Sequence, residues 1–178
     1  MNQQGRTGKI LWAPWRMAYI KEDKRRGDGC IFCNALNDNR DEENLILHRG
    51  EHTFVIMNRY PYTHGHLMIL PLRHVGDIEH LSRDETLALM EDLKTSIRVI
   101  RECLSSEGFN IGINLGKVAG AGHEDHLHIH VVPRWNGDHN FMPVVASTKI
   151  ISEHLRDTYG RLKAGFDKLN SVNLCPQK

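Results

Sequence analysis

The chain of 178 residues contains no run of 18 or more apolar residues, so no stretch of it reads as a membrane-spanning helix. It has no excess of either charge. Against 22 Asp and Glu stand 23 Lys and Arg, a formal net charge of +1, which removes the general electrostatic case for a nucleic-acid or membrane partner. Cysteine is scarce: Cys30 and Cys33 make one CxxC, while Cys103 and Cys175 stand alone, a spacing unlike a disulfide framework. The Walker pattern GxxxxGK[ST] is missing, as are internal repeats and low-complexity segments. In MNQQGRTGKILWAPWRMAYI the apolar patches are broken by Pro14 and Arg16, so no secretory h-region forms. These absences leave a cytoplasmic, globular protein as the expectation. What the chain has in plenty is histidine, 12 in all.

Residues 1–29 read as an N-terminal arm. An aromatic patch with Trp12, Trp15, Met17 and Tyr19 is apolar enough to dock on the body or on a partner chain, and the run KEDKRRGDG reads as a solvated linker. A core domain is expected over 30–146, and a C-terminal helix and tail over 147–178. Within the core, 44–48 and 52–57 read as strands around a turn at Arg49-Gly50-Glu51, and 66–71 as another strand. Ser82 with Glu85 forms a capping box. The apolar positions Leu89, Leu93, Ile97, Ile100 and Leu104 then recur at helical spacing, with Gly108 as the expected stop. Strand 109–115, a glycine-rich loop, a histidine-bearing strand and an extended 141–146 follow. Leu155, Tyr159, Leu162, Phe166 and Leu169 mark a second amphipathic helix, with Gly160 and Gly165 as weak points. Strands, long helix, strands, helix is the α+β order: an antiparallel sheet with helices packed against it.

The stretch HEDHLHIHVVPRW, residues 123–135, sets His126, His128 and His130 at alternate positions. In a strand these share one face, and Leu127, Ile129 and Val131 share the other. Two chemistries fit such a row. Three imidazoles can hold a metal ion. Alternatively, one imidazole is a nucleophile that its neighbours orient, since histidine forms covalent intermediates and is largely neutral at physiological pH. The preceding GKVAGAG, with Gly116, Gly120 and Gly122, leaves backbone N–H groups open to a phosphate, which favours the second.

This pattern resembles the histidine triad family, whose signature is His-x-His-x-His followed by apolar positions. Here it stands as His126-Leu127-His128-Ile129-His130-Val131-Val132. CIFC at 30–33, NRYPYTHGHLMILPLRHV at 58–75 and NLGKVAGAGHEDHLHIHVVPRW at 114–135 resemble the family in its order. LWAPWRMAYI and NGDHNFMPV resemble its bacterial branch of diadenosine tetraphosphate phosphorylases and hydrolases.

The resemblance implies a nucleotidyl hydrolase or transferase. His128 would attack the α-phosphorus of a dinucleoside polyphosphate and form a nucleotidyl-histidine, with His130 stabilising phosphoryl oxygens and His66 supporting the cluster. Asn58 would hold the ribose and Asn114 the phosphate or leaving group, with Gly120 and Gly122 lining the loop. Where family members often carry Ser or Thr before the first histidine, this chain has His123, a donor in its place or an exposed loop residue. The resemblance also implies a structural zinc on Cys30, Cys33, His74 and His126, and a homodimer paired through the long helices or the sheets. Three rival readings stay open: a metallohydrolase with the whole triad on one ion, a hydrolase of phosphoramidates or other adenylyl conjugates, and a nucleotide-binding module with little turnover.

Overall fold

The apolar runs pair edge to edge, and the helices lie across them. The computed structural model describes residues 29–138 and 153–173. The aromatic patch of the arm, the extended segment 141–146, His139 and Cys175 lie outside the described residues. Two short helices, α1 (Ile31–Asn37) and α2 (Asp41–Asn44), lead into strands β1 (Ile46–Arg49), β2 (Thr53–Met57) and β3 (Leu67–Pro71). The long helix α3 (Arg83–Leu104) follows, then β4 (Gly108–Ile113), β5 (Ile129–Arg134) and helix α4 (Leu155–Asn173). The five strands form one antiparallel sheet in the order β1-β2-β3-β5-β4. No helix among the described residues is long and apolar enough to cross a membrane.

β2 and β3 are buried along their whole length, as their unbroken apolar sequences require of central strands covered on both faces. α3 packs across β2, β3 and β5, and α4 packs on α3 and β1. Leu89, Leu93, Ile100 and Leu104 are buried, with Ile97 at the margin of the core. Helix α3 starts where the capping box places it. Glu85 N–H donates to Ser82 Oγ at 3.1 Å, and Ser82 N–H to Glu85 Oε2 at 2.7 Å. Arg73 clasps the same carboxylate through Nε and Nη2 at 2.9 and 2.8 Å, which holds Glu85 down to about 2.

The helix does not run on to Gly108. It ends at Leu104, with Ser105 in the left-handed region at φ 52°, and Gly108 opens β4. The physical reason lies 30 residues away in sequence. Trp135 Nε1–H donates to the carbonyls of Leu104 and Ser105 at 3.2 and 3.0 Å, satisfying acceptors that every helix end leaves open. In α4, Tyr159, Leu162 and Phe166 are buried as the spacing predicts. Gly165 makes the close approach of the two helices possible: a Cβ there would lie 2.8 Å from both Cys103 Sγ and Val99 Cγ1.

Candidate active site and metal centre

The histidine row is less regular than a strand. Only His130 lies within β5, paired across to Met68 of β3 and Gly112 of β4; His126 and His128 lie in the segment that enters it. Leu127, Ile129 and Val131 still go to the core, at 2 %, 7 % and 0 % exposure, so the alternation survives the loss of strand pairing. The three imidazoles do not converge on one point. Each turns a nitrogen to a different partner, and those partners fix the tautomers.

His126 is fully buried. Its Nε2 lies 2.9 Å from the Pro71 carbonyl, which only accepts, so Nε2 carries the proton and Nδ1 keeps its lone pair. That lone pair faces Cys30 Sγ at 3.3 Å and Cys33 Sγ at 3.6 Å, and Cys33 Sγ lies 3.4 Å from His74 Nδ1. One ligand atom from each of Cys30, Cys33, His74 and His126 lies within 4.8 Å of the others. Two sulfurs and two imidazole nitrogens are a complete tetrahedral donor set. Burial and the adjacent Cys30 push the Cys33 thiol up to about 11, so Cys33 holds its proton until a cation takes its place.

His128 is set two residues on. Its Nδ1 donates to the His126 carbonyl at 2.8 Å, which leaves Nε2 as the bare nitrogen. His130 receives a longer relay. Tyr62 N–H donates to His66 Nδ1 at 3.0 Å, with Asn58 Nδ2 beside it at 3.4 Å. His66 Nε2 therefore carries a proton and donates to His130 Nδ1 at 3.0 Å. His130 Nε2 is then the protonated nitrogen, a hydrogen-bond donor. Its ring stands edge-on to His128, centroids 4.8 Å apart. Burial lowers the pKa of His126 and His128 and takes His130 to about 4, so His130 donates as a neutral ring.

Two contributors had escaped the sequence reading. Phe32, the apolar residue inside CIFC, is 4 % exposed and packs at 5.5 Å centroid distance against His123, His126 and His128 alike. Tyr62 lies over His66 at 4.7 Å and His130 at 5.7 Å. Their only sequence signal was position inside motifs read for other residues. His123 joins the cluster through Phe32 and is half-buried. Asn114 is half-buried one residue beyond the Ile113–Ile129 pair, and Gly120 and Gly122 are exposed in the loop. Asp138 takes Arg134 in an ion pair at 2.5 Å, and Cys103 packs between the helices.

The HIT domain family matches residues 39–137. An AP-4-A phosphorylase of Mycobacterium tuberculosis is 40% identical over 154 residues, covering 83% of this chain and 79% of that protein. A HIT-like protein of Methanocaldococcus jannaschii is 29% identical over 109 residues, covering 61% of this chain and 81% of its own. Among solved structures, a Zn-bound histidine triad family protein from Mycobacterium smegmatis superposes with a TM-score of 0.65 at 27% identity, covering 81% of this chain and 97% of that one. The fold, the site and these likenesses make the chain a member of the histidine triad family.

Proposed function

We propose that the protein is a nucleotide-cleaving enzyme that acts on a dinucleoside polyphosphate through a covalent adduct on His128. The observation that carries this is the His128 tautomer: Nδ1–H donates to the His126 carbonyl, which leaves Nε2 with its lone pair intact. In the first step Nε2 attacks the α-phosphorus. The P–N bond forms as the P–O bond to the remaining phosphate chain breaks, and the chain leaves as a nucleoside polyphosphate. In the second step an oxygen of water or inorganic phosphate attacks the same phosphorus, and the P–N bond breaks. His130, protonated at Nε2, supports the phosphoryl oxygens, and His66 holds that tautomer in place. Asn58 and Asn114 are the assigned ribose and phosphate contacts, Gly120 and Gly122 admit the phosphate chain to the loop backbone, and His123 is a further donor. The relative's name, AP-4-A phosphorylase, supports a diadenosine tetraphosphate as substrate and phosphate as acceptor.

Cys30, Cys33, His74 and His126 are the residues that would hold zinc. With all four positions supplied by protein, the ion's part would be structural, and these ligands would tie α1 to the segment that bears His128. His126 serves both sites, its ring toward the sulfurs and its carbonyl toward His128. A homodimer formed through the exposed edge strand β4 or the long helices is the proposed assembly. Residues 30–146 are the proposed catalytic core, with 1–29 as an arm and 147–178 as a closing helix and tail.

Product analysis with diadenosine tetraphosphate tests the function, with and without inorganic phosphate and with His128→Ala beside the wild type. ADP plus ATP, formed only with phosphate, is the expected result. AMP plus ATP formed in water alone makes the enzyme a hydrolase. An active His128→Ala variant overturns the covalent route. Elemental analysis of the same preparation is expected to give one zinc per chain.

A further inference from the structure

The loop between β4 and the triad closes on itself at one point. Ala119 and Ala121 N–H both donate to the Gly116 carbonyl, at 3.2 and 3.3 Å, and Gly120 N–H donates to the Lys117 carbonyl at 2.9 Å. Beyond this tight turn, the Lys117 ammonium reaches across the loop to Glu124 Oε1 at 2.7 Å. The two ends differ in freedom. The backbone at Glu124 is pinned against Gly76, where a Cβ would meet the Glu124 carbonyl at 2.6 Å, and Leu127 N–H is tied to the Val75 carbonyl at 2.7 Å. The Lys117 side chain is 81 % exposed. An exposed lysine–carboxylate pair adds little net stability, so exchanging its carboxylate for another anion costs little.

The imidazoles and amides named at the site carry no permanent positive charge, whereas a tetraphosphate brings several negative ones. Several other cations among the described residues are engaged. Arg73 holds Glu85, Arg134 holds Asp138 and Asn110, and Arg59 donates to the Glu43 carbonyl. Glu124 stands four positions before His128, at most about 14 Å of extended chain between their Cα atoms. Lys117 lies in the same tight turn as Gly120, in the loop assigned above to the phosphate chain, and its ion-pair partner Glu124 precedes the triad.

We propose that Lys117 is a specificity-determining residue: it leaves Glu124 to bind phosphates beyond the one attacked, and so favours substrates with a long phosphate chain. This rests on the nucleotide-cleaving reading above. Glu124 is then a competitor for Lys117, and the two substitutions act in opposite directions.

The test is calorimetric titration of ATP and AMP into wild type, Lys117→Met and Glu124→Gln, with turnover of diadenosine tetraphosphate and adenosine phosphoramidate measured on the same proteins. Lys117→Met is expected to lower the ATP-to-AMP affinity ratio about tenfold, as loss of one charge-assisted contact does, and Glu124→Gln to raise it. The steepness of the salt dependence of ATP binding falls in Lys117→Met. An unchanged ratio in Lys117→Met overturns the proposal, and so does a Glu124→Gln variant that loses the ratio as Lys117→Met does, because the pair would then only brace the loop. If the ratio depends on Lys117 but neither substrate turns over, this proposal stands and the cleavage reading falls. If both substrates turn over and the ratio ignores Lys117, only this proposal falls. If neither nucleotide binds and neither substrate is cleaved, both fall.

Discussion

At His66 the two ring nitrogens have opposite tasks. Nδ1 accepts from Tyr62 N–H and Nε2 donates to His130, each at 3.0 Å. The residue is fully buried, and in the proposed mechanism it would act on the phosphorus only through His130, as a positioning residue. His66→Ala removes the donor that keeps the His130 proton on Nε2. The expected loss is about 10- to 100-fold in kcat, as for a misplaced catalytic group, with a much smaller change in KM. His66→Gln, whose amide supplies an N–H, recovers part of it. Steady-state kinetics on the three proteins decides; wild-type kcat in His66→Ala removes the relay. At this scale the sequence was generous with histidines, because a triad with a preceding GH is a local pattern. It was silent about Phe32 and Tyr62, whose value lies in contacts with residues 68 to 96 positions away.

Helix α4 carries two glycines whose substitution should have opposite signs. Gly160 has no atom within 4 Å of where a Cβ would stand, so Gly160→Ala stabilises by about 0.5–1 kcal/mol through helix propensity alone. At Gly165 the same methyl group meets Cys103 Sγ and Val99 Cγ1 at 2.8 Å, and valine is stiff at χ1. Gly165→Ala therefore destabilises, by about 1–2 kcal/mol, as overpacking does. Urea midpoints of the two variants check this, and a stabilising Gly165→Ala contradicts the helix contact. The apolar stripes of α3 and α4 and the capping box were legible because each is set by spacing within one turn or two. The end of α3 and the start of β5 were not. The first is set by the Trp135 ring and the second by pairing with β3 and β4, and neither partner is adjacent in sequence.

For the whole molecule the buried histidines set an acid limit. His64, against Glu153 and Thr158 of the C-terminal segment with Arg161 and Trp135 close by, and His130, in the site, are both held below the ordinary value near 6.5 by burial. The unfolded chain therefore binds more protons than the folded one below pH 6.5. Stability is full above that pH and falls as pH drops toward about 4, where His130 titrates in the fold. The contribution of His130 over that range is on the order of 2 kcal/mol. Glu85, held at about 2 chiefly by Arg73, adds a second loss below its ordinary value of 4.5. Thermal unfolding at pH 7.5, 6 and 5 is expected to show a falling midpoint, with a shallower slope in His130→Asn. A midpoint independent of pH over that range contradicts the burial of these rings.

The sequence by itself determined the periodic elements, the α+β order, the CxxC, His74 in the run after the GH strand and the triad with its family likeness, since all are patterns of neighbours along the chain. Tertiary structure alone decided which nitrogen each imidazole presents. That choice depends on a carbonyl of Pro71, a carbonyl of His126 and an N–H of Tyr62, backbone groups that every residue carries and no sequence pattern marks. Three identical side chains at identical spacing thus present different nitrogens because the fold brings a different partner to each.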